Sequence, residues 1–209
     1  MLSRYNEVWV PDLAGSLNLS GALSHGENMP KNIIYIGPLS RFASAQKINS
    51  EQINYDLCIL LSGPEPQRSI FENKVLLELK GLRLKTALVR GITDSNRTLE
   101  SSEHTTVFNH LASEKLCELI RSSKTVLCRS GYSSIMDLAA LGKRAIFVPT
   151  PGQTEQIYLA EFFSSKRICY SKLQQHFNLK EALEKSQDYS GFEGYLKPSH
   201  YKLPQELIR

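Results

Sequence analysis

The chain contains no apolar run approaching the ~20 residues that a membrane-spanning helix requires, so a helical span is excluded. No charged and apolar leader opens it, which with its cysteine usage leads to the expectation of a cytoplasmic protein. Its four cysteines, Cys58, Cys117, Cys128 and Cys169, lack any paired metal spacing. Three fall in expected strands and one in an expected helix, so they read as reduced core residues. The five histidines are scattered, with no two spaced as ligands on one helix face, and a bound metal is not expected. A net charge of +4 without a dense Lys/Arg stripe interleaved with aromatics excludes nucleic acid as a partner. It leaves room for a modest attraction to anionic nucleotides or lipid headgroups. Gly63 sits in a strand-to-helix turn, but no Gly-Lys-Ser/Thr follows it, so this is not a P-loop.

What is present is enough apolar residue, 41% of 209, for one substantial core with an appendage. The stretch Cys128 to Gln156 organises the rest. Val126 to Cys128 ends a buried strand, and Arg129-Ser130-Gly131 turns into a helix carrying Ile135, Leu138, Ala139 and Leu141. Gly142 stops that helix, Ala145 to Val148 is the next strand, and Pro149, Pro151 and Gly152 force a loop before a second helix. Both turns lie on one edge, where open parallel sheets bind ligands. The amides of Gly131, Tyr132 and Ser133 then face the crevice at the positive end of the helix dipole, an arrangement that suits a diphosphate. Asp137 lies one turn beyond Ser133, roughly 6 Å along the axis, where a carboxylate accepts from ribose hydroxyls. It is otherwise a helix-surface acid. Arg129 either neutralises phosphate or pairs with a carboxylate, and Ser130, Ser133 and Ser134 are caps, anion ligands or both.

Taken in order, Glu7 to Asp12 reads as a short strand halted by proline, and Leu13 to Lys31 as a loop without sustained period. Ile33 to Gly37 is a second strand and Tyr55 to Leu61 a strand covered on both faces. Ser62 to Ser69 either touches a ligand or simply connects to a helix bearing Ile70, Phe71, Val75, Leu76 and Leu79. Glu65 there repels a phosphate unless it turns away. Lys85 to Val89 and Thr105 to Asn109 are further strands, separated by a polar excursion from Gly91 to Glu103. Leu116, Leu119 and Ile120 mark the next helix. Tyr158, Leu159, Phe162 and Phe163 continue the helix after Gln156, as core or as a stacking platform. Arg167 to Tyr170 is a final strand, Leu179 to Lys185 a helix, and the tail from Gln187 either packs back or is loosely ordered.

The pattern Arg129-Ser130-Gly131 with Asp137, Gly142, Val148-Pro149 and Gln156 resembles the donor-binding half of family 28 glycosyltransferases, from about Asp56 to Lys185. The best-known family activity adds N-acetylglucosamine to a lipid-linked peptidoglycan precursor. The resemblance implies an α/β fold, a Rossmann-like doubly wound parallel sheet forming the C-terminal lobe of a GT-B enzyme. It implies a UDP-sugar as substrate, no cofactor, and a leaving diphosphate stabilised by helix dipoles without a metal. Backbone from Gly131 to Ser133 then meets the diphosphate, with Ser62 and Gly63 at the position of a family glycine-rich turn. Asp137 stands where the family has a ribose-binding glutamate, and Gln156 on a glutamine that contacts the sugar. The neighbouring family glutamine is Ile157 here, leaving Gln153 and Glu155 as substitutes. His110, Leu111 and Ala112 occupy the region whose backbone reads the nucleobase, though His110 on its own reads as a polar helix-entry residue.

The resemblance also divides the chain. Residues 1–32 become a remnant of an N-terminal lobe and linker, 33–186 the nucleotide-sugar domain and 187–209 a tail. The chain then either is a fragment, with Met1 an added or fortuitous start, or is a natural subunit of a split transferase whose partner supplies the acceptor lobe. The catalytic base is expected from that other lobe, so the chain alone binds nucleotide without turning it over. A lipid-linked acceptor and a place peripheral to the membrane follow from the same likeness. A non-catalytic nucleotide-binding module and a GT-B epimerase are the remaining alternatives; an epimerase needs acid and base groups in the cleft, and none is evident.

Overall fold

The computed structural model describes residues 4–43, 52–93 and 99–201. Met1, residues 94–98 of the expected excursion and residues 202–209 of the expected tail lie outside the described residues. The chain opens with β1 (Val8–Val10), α1 (Ala22–His25) and β2 (Ile33–Tyr35). β1 and β2 pair in parallel as a two-stranded sheet of their own. The break between the two sheets therefore falls after β2.

Then come β3 (Tyr55–Leu60), α2 (Gln67–Leu79), β4 (Thr86–Val89), β5 (Thr105–Phe108), α3 (Ser113–Arg121) and β6 (Ser123–Cys128). They are followed by α4 (Tyr132–Ala140), β7 (Arg144–Phe147), α5 (Thr154–Ser165), β8 (Tyr170–Ser171) and α6 (Leu179–Ser186). Six strands form one sheet in the order β5-β4-β3-β6-β7-β8, and every neighbouring pair is parallel.

Parallel pairing needs crossover helices, and the helices must be buried on the sheet's faces. Alternation along each strand shows both faces covered. Cys58, Ala87, Val126, Cys128, Ala145 and Phe147 join the core packed on α3, α4 and α5. Their neighbours Leu57, Ile59, Leu88, Leu127, Ile146 and Val148 join the core packed on α2 and α6. On α2, Phe71, Val75 and Leu79 face that core, each worth about 1.5–3 kcal/mol of burial. Ile70, expected on the same face, is 48% exposed.

Helix ends follow local chemistry. α4 stops at Gly142, whose φ of +63 is the left-handed conformation that suits glycine. Lys143 N–H donates back to Leu138 O and Gly142 N–H to Ala139 O, closing a Schellman-type cap. α6 begins at Asn178, whose side chain accepts from Glu181 N–H at 2.9 Å.

The segment from Leu13 to Lys31, expected to be plain loop, is ordered around one carboxylate. Asp12 is fully buried and accepts from the N–H groups of Leu13, Leu19 and Ser20 and from Ser20 Oγ, with His25 Nε2 at 3.3 Å. The tail packs back: Phe192 is buried against Phe163, and Tyr195 donates to Asn18 O at 3.2 Å.

Candidate functional site

After β3 the chain steps outward through β4 and β5, then returns to β6 on the other side of β3. The crevice beyond the carboxyl ends of β3 and β6 is thus the sheet's topological switch point. Two sequence-predicted segments flank it: Ser62-Gly63 after β3, and Arg129 to Ser133 after β6. The loop after β7 lies beside them, since a Cβ built on Gly63 would stand 3.7 Å from Thr150 Oγ1.

Gly131 caps α4 in an extended conformation (φ −72°, ψ 143°), and no side chain caps the helix. A Cβ added to Gly131 would meet nothing within 4 Å, so the space before the first turn of α4 is open. Ser133 is exposed there. Tyr132 turns its ring toward the N-terminal segment, and its hydroxyl donates to Pro11 O at 2.9 Å. Burial, and then the charge of Asp12, push that phenol well above the ordinary tyrosine range.

Ser130 and Gln156 tie the two turns together. Ser130 Oγ donates to Gln156 O at 2.7 Å, and Thr150 N–H donates to Gln156 Oε1 at 2.9 Å. Gln156 Oε1 is thereby engaged, which leaves its amide NH2 as the group to offer a ligand. Gln153 is the exposed first residue of α5's cap, its N–H donating to Thr150 O. Thr150 Oγ1 is a buried hydroxyl without a partner, on the side facing Gly63.

Among the described residues Arg129 pairs with no carboxylate. It is 2% exposed, and its two terminal nitrogens donate to the carbonyls of Val148, Pro149 and Gln67 and to Gln174 Oε1. These bonds, 2.7–3.2 Å long, use all four terminal N–H groups. The guanidinium also lies 4.3 Å over the Phe71 ring, and burial pulls its pKa down to about 10. Arg129 laces the loops behind the crevice with its four terminal N–H groups, while its buried Nε–H has no partner among the described residues.

Asp137 is buried on α4, and Ser40 Oγ donates to one of its oxygens at 2.8 Å, Arg41 Nε to the other at 2.9 Å. Its carboxylate holds the segment after β2. Glu65 receives Arg68 Nε at 2.7 Å and Ser69 N–H at 3.1 Å, which offsets the charge it brings to the turn. The hydrogen bonds from Ser69 and Arg68 hold its carboxyl below the usual range. His110, Leu111 and Ala112 lead from β5 into α3, with His110 and Ala112 exposed. β5 is three strand spacings from β6, roughly 14 Å, so these residues lie at the far end of the same edge. Tyr158 and Phe162 pack as a pair against the N-terminal segment, Tyr158 Oη accepting from Ala22 N–H at 2.6 Å.

Sequence reasoning missed Thr150, the Ser40-Arg41 grip on Asp137, and a buried ionic group made by Arg68, Glu72, Arg90 and Asn109. A charged residue closing an otherwise apolar strand, as Arg90 closes β4, was the available signal for the last of these. The first two are contacts between segments distant in sequence, which local pattern does not encode. Among the described residues no helix is long and apolar enough to cross a membrane.

Comparison with known proteins adds independent findings. Residues 68–193 match the glycosyltransferase family 28 C-terminal domain. A curated relative is the UDP-N-acetylglucosamine--N-acetylmuramyl-(pentapeptide) pyrophosphoryl-undecaprenol N-acetylglucosamine transferase of Buchnera aphidicola subsp. Schizaphis graminum. The two are 27% identical over 141 residues, 64% of this chain and 37% of the relative. The glycotransferase of kitacinnamycin has a similar fold, with a TM-score of 0.67 at 15% identity over 97% of this chain and 54% of its own. The spinosyn rhamnosyltransferase SpnG complexed with thymidine diphosphate gives 0.56 at 12%, over 91% and 54%. MurG of Acinetobacter baumannii gives 0.51 at 14%, over 87% and 56%. The chain thus spans about a third of the curated relative and about half of each solved structure.

Proposed function

The chain belongs to glycosyltransferase family 28 through the family's C-terminal domain, and we propose that it binds the nucleotide-sugar donor of a GT-B transferase. The observation that carries this reading is the open, uncapped start of α4 at the switch point of the sheet. In this reading the donor is a UDP-sugar. Its diphosphate sits on the amides of Gly131, Tyr132 and Ser133, beside Ser62 and Gly63, where the helix dipole favours negative charge. The amide of Gln156 and the exposed Gln153 reach the sugar, and the loop from His110 to Ala112 meets the base. Asp137 serves the ribose only by sharing or exchanging its present partners, Ser40 and Arg41.

The reaction is displacement at the anomeric carbon. An acceptor hydroxyl oxygen forms the new bond to that carbon, the bond to the diphosphate breaks, and the leaving nucleoside diphosphate keeps the electron pair. The α4 amides stabilise the charge it gains, in the manner of preorganised donors, with no metal needed. The acceptor's proton goes to a base on another lobe, in this polypeptide or a partner, so residues 1–209 alone bind donor without transfer. The curated relative's name carries an undecaprenol-linked acceptor, and a lipid-linked acceptor met at a membrane surface is the corresponding proposal here. Residues 4–43 belong in this picture to the neighbouring lobe and linker, since a two-stranded sheet is marginal by itself.

Thermal unfolding with UDP and UDP-N-acetylglucosamine, in chelator, tests the reading. Ligand at 100 times its Kd adds about 2.7 kcal/mol, which raises Tm by roughly 5–10 °C. No shift with any nucleoside diphosphate at millimolar concentration contradicts it.

A further inference from the structure

Glu72 lies buried on α2 and takes three guanidinium bonds. Arg68 Nη1 donates to Oε2 at 3.2 Å, Arg90 Nε to Oε1, and Arg90 Nη2 to Oε2 at 3.2 Å. Both arginines are themselves buried, at 5% and 8% exposure. Arg68 reaches on to Glu65 in the β3–α2 turn and to the Arg90 carbonyl at the end of β4. Arg90 Nη1 reaches Asn109 Oδ1 at 3.0 Å, at the end of β5. One carboxylate therefore joins the turn after β3, the end of β4 and the loop entry after β5, all on the ligand-facing edge. Main-chain bonds from Arg90 N–H to Phe108 O and from Ile92 N–H to Asn109 O complete the tie.

Burying two arginines against a glutamate is a poor route to stability, because desolvation offsets most of the Coulombic gain. Such groups are better attested as devices that fix register, and here the thing fixed is the loop beginning at Asn109. We infer that Glu72 is a positioning residue for nucleotide recognition. Through Arg90 and Asn109 it holds the backbone entering His110 to Ala112 in place on the same edge of the sheet as the α4 amides. The inference rests on the donor-binding reading above and assigns base selectivity to residues that need not touch the ligand.

The test compares two probes, UDP and inorganic pyrophosphate, titrated calorimetrically into the parent chain, Asn109→Ala, Glu72→Gln and the double variant. Pyrophosphate has no base, so it reports the α4 cradle alone. The expected result is a loss of about tenfold in UDP affinity for each single variant, with pyrophosphate within about twofold of the parent. The double variant loses no more than Glu72→Gln, since both act through one chain of contacts. UDP affinity equal to the parent's in the folded variants overturns the inference, as does pyrophosphate weakening in step with UDP. Should Glu72→Gln fail to fold, Asn109→Ala decides, because Asn109 is only half-buried and its truncation removes a single terminal contact. A parent chain that binds neither probe removes the donor-binding reading and the inference with it, before any variant is made.

Discussion

Arg129 shows how far a residue's chemistry can depart from its motif position. Its place in the sequence suits either a phosphate or a carboxylate partner, yet burial and four protein acceptors make it a brace for the loops after β6 and β7. Truncation strands several buried acceptors at about 1–3 kcal/mol each, so Arg129→Ala is expected to lose at least about 3 kcal/mol in urea unfolding. Parent stability with weakened UDP binding would instead restore the phosphate role. The cysteines behave as the sequence suggested: all four are buried. Burial pushes the Cys58 thiol up to about 12, with Cys128 and Cys169 raised by the same cause and by neighbouring thiols. The folded chain therefore holds protons that the unfolded chain releases near pH 9, so stability is full below that pH and falls as pH rises toward 12. Alkaline melting curves check the sign, and a disulfide exchange reagent at pH 8 should label no thiol until denaturant is added. Single residues were thus legible where burial alone decides, as for Cys58, and illegible where partners come from afar, as for Asp137.

At the level of elements, hydrophobic runs bounded by glycine and proline revealed every strand of the main sheet, because a strand covered on both faces has little freedom of composition. Boundaries moved by up to three residues. β8 is Tyr170–Ser171 instead of starting at Arg167, whose φ of +57 belongs to a turn. The ordered path from Leu13 to Lys31 was hidden because its organiser, Asp12, works through backbone donors that no side-chain pattern marks. The stop of α4 was plain from Gly142 and is testable by itself. Gly142→Ala places a side chain at φ +63 and is expected to cost about 1–2 kcal/mol, lowering Tm by a few degrees. UDP binding should be unaffected, since Gly142 lies at the opposite end of α4 from the cradle; an unchanged Tm would contradict the capping role.

For the whole molecule, the six-stranded sheet explains why the site lies where it does. Two directions of winding meet between β3 and β6, and the helix that opens there, α4, leaves its first amides to the crevice. The family pattern was readable from Arg129 to Gln156 because backbone turns impose glycine, proline and small polar residues at fixed spacing. Which side chains brace the turns around the candidate site was not readable, since Thr150, Glu72 and Arg41 come into place only once the strands are ordered β5-β4-β3-β6-β7-β8. Amide resonances in uniformly 15N-labelled protein test the account most directly, with UDP, uridine and pyrophosphate added in turn. The account predicts that Gly131, Tyr132 and Ser133 shift with UDP and with pyrophosphate, and stay in place with uridine at concentrations where UDP saturates. Shifts confined to other parts of the chain, or no response at those three amides, would contradict it.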